Sequence, residues 1–220
     1  MVYLMVILAY LIGAIPFGYI SVKWRTGEDI RTLHSGRTGG TNAMRSIGYG
    51  LGLLSGILDG FKGAVPIWIA KEFFPEMPWL LAVCGLAAII GHNYSIFMLK
   101  QDVNGKWKFY GGAGGAPTLG ASAGIWFPCL YIILPIGVAV FYFVGYASVT
   151  TMSIGGIALI IFLIRAWFLG QPWAYVGYAI GAVLLLMWAL RPNIKRLING
   201  TERLQGLRAK KSKTSTKKQE

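Results

Sequence analysis

Two stretches of this chain combine glycines, small hydroxyls and arginines in the way an anion site does. The first reads His34-Ser35-Gly36-Arg37-Thr38-Gly39-Gly40-Thr41-Asn42-Ala43-Met44-Arg45. Glycines such as Gly36 let backbone amides converge on an anion, and Ser35, Thr41 and Asn42 add uncharged donors. Arg37 and Arg45 supply fixed positive charge suited to phosphate. A helix starting near Thr41 or Asn42 would aim its first amides at the same anion. The competing reading is a polar loop whose arginines only flank a membrane span, and composition does not choose between the two. The second stretch reads Gly111-Gly112-Ala113-Gly114-Gly115-Ala116-Pro117-Thr118. Through Gly111, Gly112 and Gly114 it is a phosphate cradle ahead of a helical segment, or else a close helix contact in the membrane. No strand is expected before it and no βαβ unit surrounds it, so it is not a dinucleotide fingerprint.

Three further groups stand out. Asp59 and Lys62 sit at i and i+3 inside an apolar segment, where they meet on one helix face. Such charges are costly in a membrane and face a partner or a polar cavity; a structural ion pair is the first reading. His92 follows Gly91 near the end of an apolar run; it suits a general base, a donor to phosphate, or a plain interfacial residue. With only His34 besides, metal binding is not indicated. Asn193-Ile194-Lys195-Arg196-Leu197 opens a basic C-terminal region and reads by itself as a short amphipathic surface helix.

The apolar pattern supplies the elements that must hold these residues. Hydrophobic residues make up 55% of the 220 and charged ones 13%. Segments 1–22, 77–99, 109–164 and 166–190 carry no charge, and a bilayer crossing takes roughly 20 apolar residues. The pattern is that of an integral membrane protein. The formal net charge of +13 lies almost wholly beside the apolar segments, so it faces anionic headgroups and not nucleic acid. Spans are expected at about 3–22, 50–70, 79–98 and 173–190. With the N-terminus outside, the basic residues following the first and third spans fall on the cytoplasmic side. A basic C-terminus on that face requires an odd number of crossings. The stretch 117–168 then supplies three of about 16 residues each, broken near Pro128 and Pro135, or a re-entrant segment of the same parity. Arg165 falls at the outer end of this count.

The expected fold class is thus an all-α integral membrane protein of about seven transmembrane helices, several short, with the C-terminus cytoplasmic. One domain, 1–203, precedes a basic tail, 204–220, read as disordered and solubilising. Cys84 and Cys129 lie in apolar segments and suggest neither a disulfide framework nor a zinc site. Basic residues follow the first apolar stretch, so it reads as a span and not as a cleaved leader. Nothing in the sequence specifies an oligomeric state.

Taken in order, these segments resemble the PlsY family, the acyl-phosphate-dependent glycerol-3-phosphate acyltransferases of bacterial membranes. Gly13-Ala14-Ile15-Pro16-Phe17-Gly18-Tyr19 is similar to its G-S-I-P-F-G-Y opening. Asp29-Ile30-Arg31, Ser35-Gly36, Thr41-Asn42 and Arg45 follow its D-I-R…G-S-G-N-I-G-A-T-N-x-x-R signature. Asp59, Lys62-Gly63 and Pro66 match D-x-x-K-G-x-x-P, and Gly91-His92 matches G-H. Residues 148–151 resemble a serine-rich loop, and 193–202 match N-I-x-R-L…G-x-E. Two departures stand out. Arg37 replaces a family asparagine, and Ala113 stands where G-G-K-G-V-A-T has lysine. Arg37, Lys106 and Lys108 are the candidates to replace that charge.

The resemblance implies a seven-span fold in the bacterial plasma (inner) membrane, with a cytoplasmic site and neither cofactor nor metal. It implies acyl transfer from acyl phosphate to the 1-hydroxyl of glycerol 3-phosphate, giving lysophosphatidic acid and phosphate, the first step of phospholipid synthesis. The partners are those two substrates and the membrane lipids. Catalysis falls to His92, Ser35 and Arg45. Substrate and phosphate binding fall to Gly36, Arg37, Thr41, Asn42, Lys62, Gly111, Gly112, Gly114, Ser148, Asn193 and Glu202. His92 orients or deprotonates the acceptor hydroxyl, unless the donor phosphate acts as base. The alternatives are a catalytically altered relative and a transporter or binding protein for phosphorylated solutes. The latter would carry paired broken helices in an internal repeat, which the sequence lacks.

Overall fold

The computed structural model describes residues 1–102 and 104–209; most of the basic tail, 210–220, lies outside them. Helices α1 (Val2–Ala14) and α2 (Phe17–Thr26) form one apolar rod interrupted at Pro16. Proline has no N–H to continue the ladder, and the carbonyls it frees must find partners inside the protein. Lys62 Nζ donates to Ile15 O at 2.6 Å, and Ser95 Oγ donates to Ala14 O at 2.6 Å. After a 3-10 turn at Ile30–Thr32 come α3 (Gly40–Ile47), α4 (Tyr49–Phe73) and α5 (Pro78–Asn93). An antiparallel hairpin of β1 (Ser95–Gln101) and β2 (Trp107–Tyr110) leads into α6 (Gly115–Ile125). Helix α7 (Cys129–Ala139) runs on as a π turn, Val140–Val144, before α8 (Ala147–Leu169) and α9 (Ala174–Ile198).

Four helical stretches, Val2–Thr26, Tyr49–Phe73, Ala147–Leu169 and Ala174–Ile198, are long and apolar enough to cross a membrane. Pro78–Asn93 and Cys129–Val144 are shorter apolar helices. Leucines and isoleucines such as Leu4, Ile7, Leu53, Leu163 and Leu184 point outward, as lipid contact requires and a water-facing surface would not tolerate on this scale. Small residues bring the helices together. Gly60 meets Gly120 between α4 and α6, and Gly13 meets Ala88 between α1 and α5. At the centre Tyr178 is fully buried, its hydroxyl 3.0 Å from Thr118 O and 3.2 Å from Ser122 Oγ.

Several sequence expectations need correction. The span placed at 79–98 ends at Asn93, and residues from Ser95 form the hairpin; a short apolar run reads alike as helix end or strand. A strand therefore does precede the glycine run, although it belongs to a hairpin and not to a βαβ unit. The three equal short spans are unequal. Helix α6 has 11 residues, nine of them buried, and α8 has 23. A helix walled in by protein need not match the lipid thickness. Asn193–Leu197, read as a surface helix, forms the last turns of α9. Within the stretch expected as tail from 204, Gln205 N bonds Gly145 O at 2.8 Å and Arg208 reaches Val144 O at 3.3 Å; residues 210–220 of it lie outside the described residues.

The bundle has two distinct ends. At one, Lys71 Nζ donates to Ile125 O at 2.7 Å, and the Arg165 guanidinium stacks 3.8 Å from the Trp126 ring centroid. Both cations sit at the C-terminal end of α6, where a helix favours positive charge. The stacking also accounts for an arginine at that position. The other end gathers the glycine-rich loops, the close of α5 and α9, and the first turns of α3, α6 and α8.

Candidate active site

At this second end lies a cavity of about 610 Å³. One part is polar, lined by Ser35, Arg37, Thr41, Arg45, His92 and Ser148; an apolar arm continues along Ile57, Phe61, Trp68, Leu119 and Leu130. Thus a charged head and a hydrocarbon tail can be held in one space. Helix α3 begins at Gly40, with Gly39 as its cap. Asn42 N and Ala43 N donate to Gly39 O at 3.0 and 3.2 Å, which leaves the Gly40 and Thr41 amides, on residues that line the cavity, without a carbonyl partner among the described residues.

The loop before α3 is tied by Asn42. Its Nδ2 donates to Leu33 O at 3.1 Å and Arg37 O at 2.8 Å, and its Oδ1 accepts from Ser35 N at 3.4 Å. Asn42 lines the cavity but spends its amide on shaping the loop. Arg37 reaches across to α9, donating to Ala189 O and, at 3.1 Å, to Asn193 Oδ1; a longer contact of 3.5 Å runs to Gly112 O. Asn193 Nδ2 in turn donates to Glu202 Oε1 at 2.9 Å, and Glu202 also takes Arg196 at 3.0 Å.

Charge accounting at the cavity is one-sided. Glu202 is paired with Arg196, and Asp59 with Lys62 at 2.8 Å. Among the described residues neither Arg37 nor Arg45 has a carboxylate within ion-pair distance. Burial holds both guanidinium groups below their usual range, reinforced by Arg196 at Arg37 and by Arg203 at Arg45. A phosphate beside each would relieve that cost, since charge-assisted hydrogen bonds are the strong ones. No group of three or more metal-binding side chains converges among the described residues.

His92 is buried at the end of α5. Its Nδ1 faces Asp59 Oδ1 at 3.6 Å, and its Nε2 edge lies against Gly39 and Gly112. Only glycine fits at position 112, because a Cβ there would run into the imidazole. Gly114, at φ +90°, caps α6 in the left-handed region that favours glycine.

Of the residues singled out from sequence, Ser35, Arg37, Thr41, Asn42, Arg45, His92, Gly114, Ser148, Asn193 and Glu202 line this cavity. Gly36, Gly111 and Gly112 shape its rim without being lining residues: Gly111 O accepts from Thr38 N at 3.2 Å, and Gly112 N donates to His92 O at 2.9 Å. Lys62 is buried away from the cavity, its ammonium committed to Asp59 and Ile15 O. Asp59 was missed as a site residue. It lines the cavity and connects Lys62 to His92, which arrives from another helix. An intramembrane carboxylate is a signal in its own right, but its second partner lies 33 residues away in sequence. Ala113 lines the cavity, while Lys106 and Lys108 do not; the cation adjoining that segment is Arg37.

A family model described as glycerol-3-phosphate acyltransferase matches residues 3–200. A glycerol-3-phosphate acyltransferase of Thermus thermophilus is 36% identical over 204 residues, 92% of this chain and 94% of that protein. One from Syntrophomonas wolfei is 33% identical, over 90% of this chain and 94% of its own. The fold is similar to the crystal structure of PlsY (YgiH), an integral membrane glycerol 3-phosphate acyltransferase, in its glycerol 3-phosphate form. The TM-score is 0.81 at 30% identity, covering 93% of this chain and 96% of that one. Its lysophosphatidic acid form gives a TM-score of 0.78 at 29% identity, covering 93% and 95%.

Proposed function

We propose that this chain, which belongs to the glycerol-3-phosphate acyltransferase family, takes its acyl group from an acyl phosphate and delivers it to the 1-hydroxyl of glycerol 3-phosphate. The products are lysophosphatidic acid and inorganic phosphate. The observation that carries this reading is the pair of arginines, Arg37 and Arg45, unmatched by carboxylates at the head of a cavity whose other arm is apolar. Two phosphates and one hydrocarbon tail are the ligands that such a space suits.

In this mechanism an acyl phosphate is already activated, so the protein must chiefly position both reactants and stabilise the oxyanion. Arg45, Ser35 and the first amides of α3 hold one phosphate, with Thr41 alongside. Arg37 holds the other near Gly112 and Gly114. The acceptor hydroxyl oxygen attacks the carbonyl carbon, and the carbon–oxygen bond to phosphate breaks as the tetrahedral intermediate collapses. His92 Nε2 takes the hydroxyl proton, or orients the hydroxyl while the departing phosphate takes it. The Asp59 carboxylate faces Nδ1 and holds the ring so that Nε2 is presented to the cavity. Asn193, Glu202 and Ser148 meet the glycerol hydroxyls. The same reading sets the chain in the bacterial inner membrane with seven spans, the site and C-terminus facing the cytoplasm, as the basic residues at the site end of the bundle favour.

The experiment is acyl transfer to labelled glycerol 3-phosphate by purified protein in lipid, with palmitoyl phosphate and palmitoyl-CoA offered in parallel. Labelled lysophosphatidic acid with equimolar phosphate, from the acyl phosphate alone, is the expected result. Product from the thioester alone would keep the acyltransferase and overturn the donor.

A further inference from the structure

The β1–β2 hairpin takes no part in the cavity, yet its two faces differ sharply. The register pairs Lys100 with Lys108 and Gln101 with Trp107. Directly paired residues share a face and neighbours alternate. Lys100, Lys108 and Tyr110 therefore lie on one side, the Lys108 ammonium 5.1 Å from the Tyr110 ring centroid. Trp107 and Phe109 lie on the other, 67% and 44% exposed. Two lysines directly opposite each other repel, and nothing acidic among the hairpin's described residues relieves them. The Asp102 carboxylate is spent on the turn, accepting from Asn104 N and Lys106 N at 2.9 Å each. Asp29, the nearby acid whose carboxylate feels Lys100, is already gripped by Arg31 at 2.6 Å.

We infer that this hairpin is an interfacial foot that binds the anionic lipid headgroups of the membrane holding the bundle. Trp107 and Phe109 enter the boundary between headgroups and acyl chains, where aromatic side chains settle. Lys100 and Lys108, with Lys106 at the turn, meet headgroup phosphates, which turn an unfavourable cation pair into a favourable one. The occupant follows from charge complementarity combined with an apolar face: a soluble acidic protein would satisfy the lysines and leave Trp107 in water. The foot is mechanically tied to the cavity. Tyr110 lies 5.5 Å from the Arg31 guanidinium, and the next residue, Gly111, accepts from Thr38 N in the phosphate-binding loop.

The test needs no acyl transfer, so its outcome is independent of the proposed reaction. Full-length protein with Cys84 and Cys129 replaced by alanine and Trp107→Cys carrying an environment-sensitive dye is placed in nanodiscs. The lipid is phosphatidylcholine alone or mixed with phosphatidylglycerol. The dye should shift to the blue in the anionic discs and be quenched there by brominated acyl chains. Lys100→Gln with Lys108→Gln should lower the buried population by roughly fivefold per lysine, and high salt should do the same. Identical emission in both lipids would overturn the inference, as would an undiminished shift in the double variant. A shift that appears only on adding an acidic soluble protein would overturn it in favour of a protein partner.

Discussion

Arg37 and Ala113 are best understood together. The PlsY pattern that the sequence resembles has a lysine where this chain has Ala113 and an asparagine where it has Arg37; here the cation enters the cavity from the opposite loop and lies beside Gly112. A charge that has changed element should be exchangeable. Arg37→Asn should cost about 2 kcal/mol of transition-state stabilisation, roughly thirtyfold in kcat/KM, the scale of a lost charged hydrogen bond. Adding Ala113→Lys to that variant should recover much of the loss, and steady-state kinetics in both substrates would measure it. Asp59 has a different task. It pairs with Lys62 at 2.8 Å and faces His92 Nδ1 at 3.6 Å, and in the proposed mechanism its part is to orient that ring. Asp59→Asn should lower kcat by roughly a hundredfold, the low end of general-base effects, and leave KM for glycerol 3-phosphate nearly unchanged. The pH profile of kcat should also shift, because the ring loses its anionic neighbour. An equal change in KM at constant kcat would show that Asp59 acts on binding instead.

At the scale of elements, the site depends on where helices stop. Helix α5 ends at Asn93, immediately after His92, and the chain returns through the hairpin so that Gly112 lies on the imidazole. Gly112→Ala places a methyl where the ring now sits. The ring, its backbone or both must move, and a displacement of about 1 Å costs on the order of a hundredfold in a positioned reaction. The expected outcome is a folded protein, with a melting temperature within a few degrees of the parent, whose kcat has fallen by about that factor. The break at Pro16 is the other element-level device. It frees Ile15 O for Lys62, which is how an ammonium needed beside Asp59 is itself held. This pair is legible in the sequence, since i and i+3 lie on one helix face. The third partner is not, because a helix-to-helix contact has no periodicity.

Across the whole molecule, the segment after α9 closes the bundle. Asn193 and Arg196 hold Glu202, and 205–208 tie to the α7–α8 turn through Gly145 and Val144. Truncation after residue 209 should leave activity and melting temperature essentially unchanged. Truncation after residue 201 removes Glu202 and those ties, and should lower both thermal stability and activity, read by thermal unfolding in detergent and by the acyl-transfer assay. The division of labour between sequence and tertiary structure follows from distance along the chain. Charge-free segments, the loop 34–45 and the i, i+3 pair are local, so the sequence by itself determined the membrane class and nearly every polar residue that lines the cavity. Burial in the bilayer sets the apolar pattern, and the glycines, hydroxyls and arginines of the loop are adjacent in the chain. What only the tertiary structure decided was which of those groups meet. Arg37 rather than Lys106 or Lys108 adjoins Ala113, Asp59 faces His92, and Asn42 spends its amide on its own loop. Those outcomes depend on packing between helices far apart in sequence, where small residues set how closely backbones approach and no local pattern records the partner.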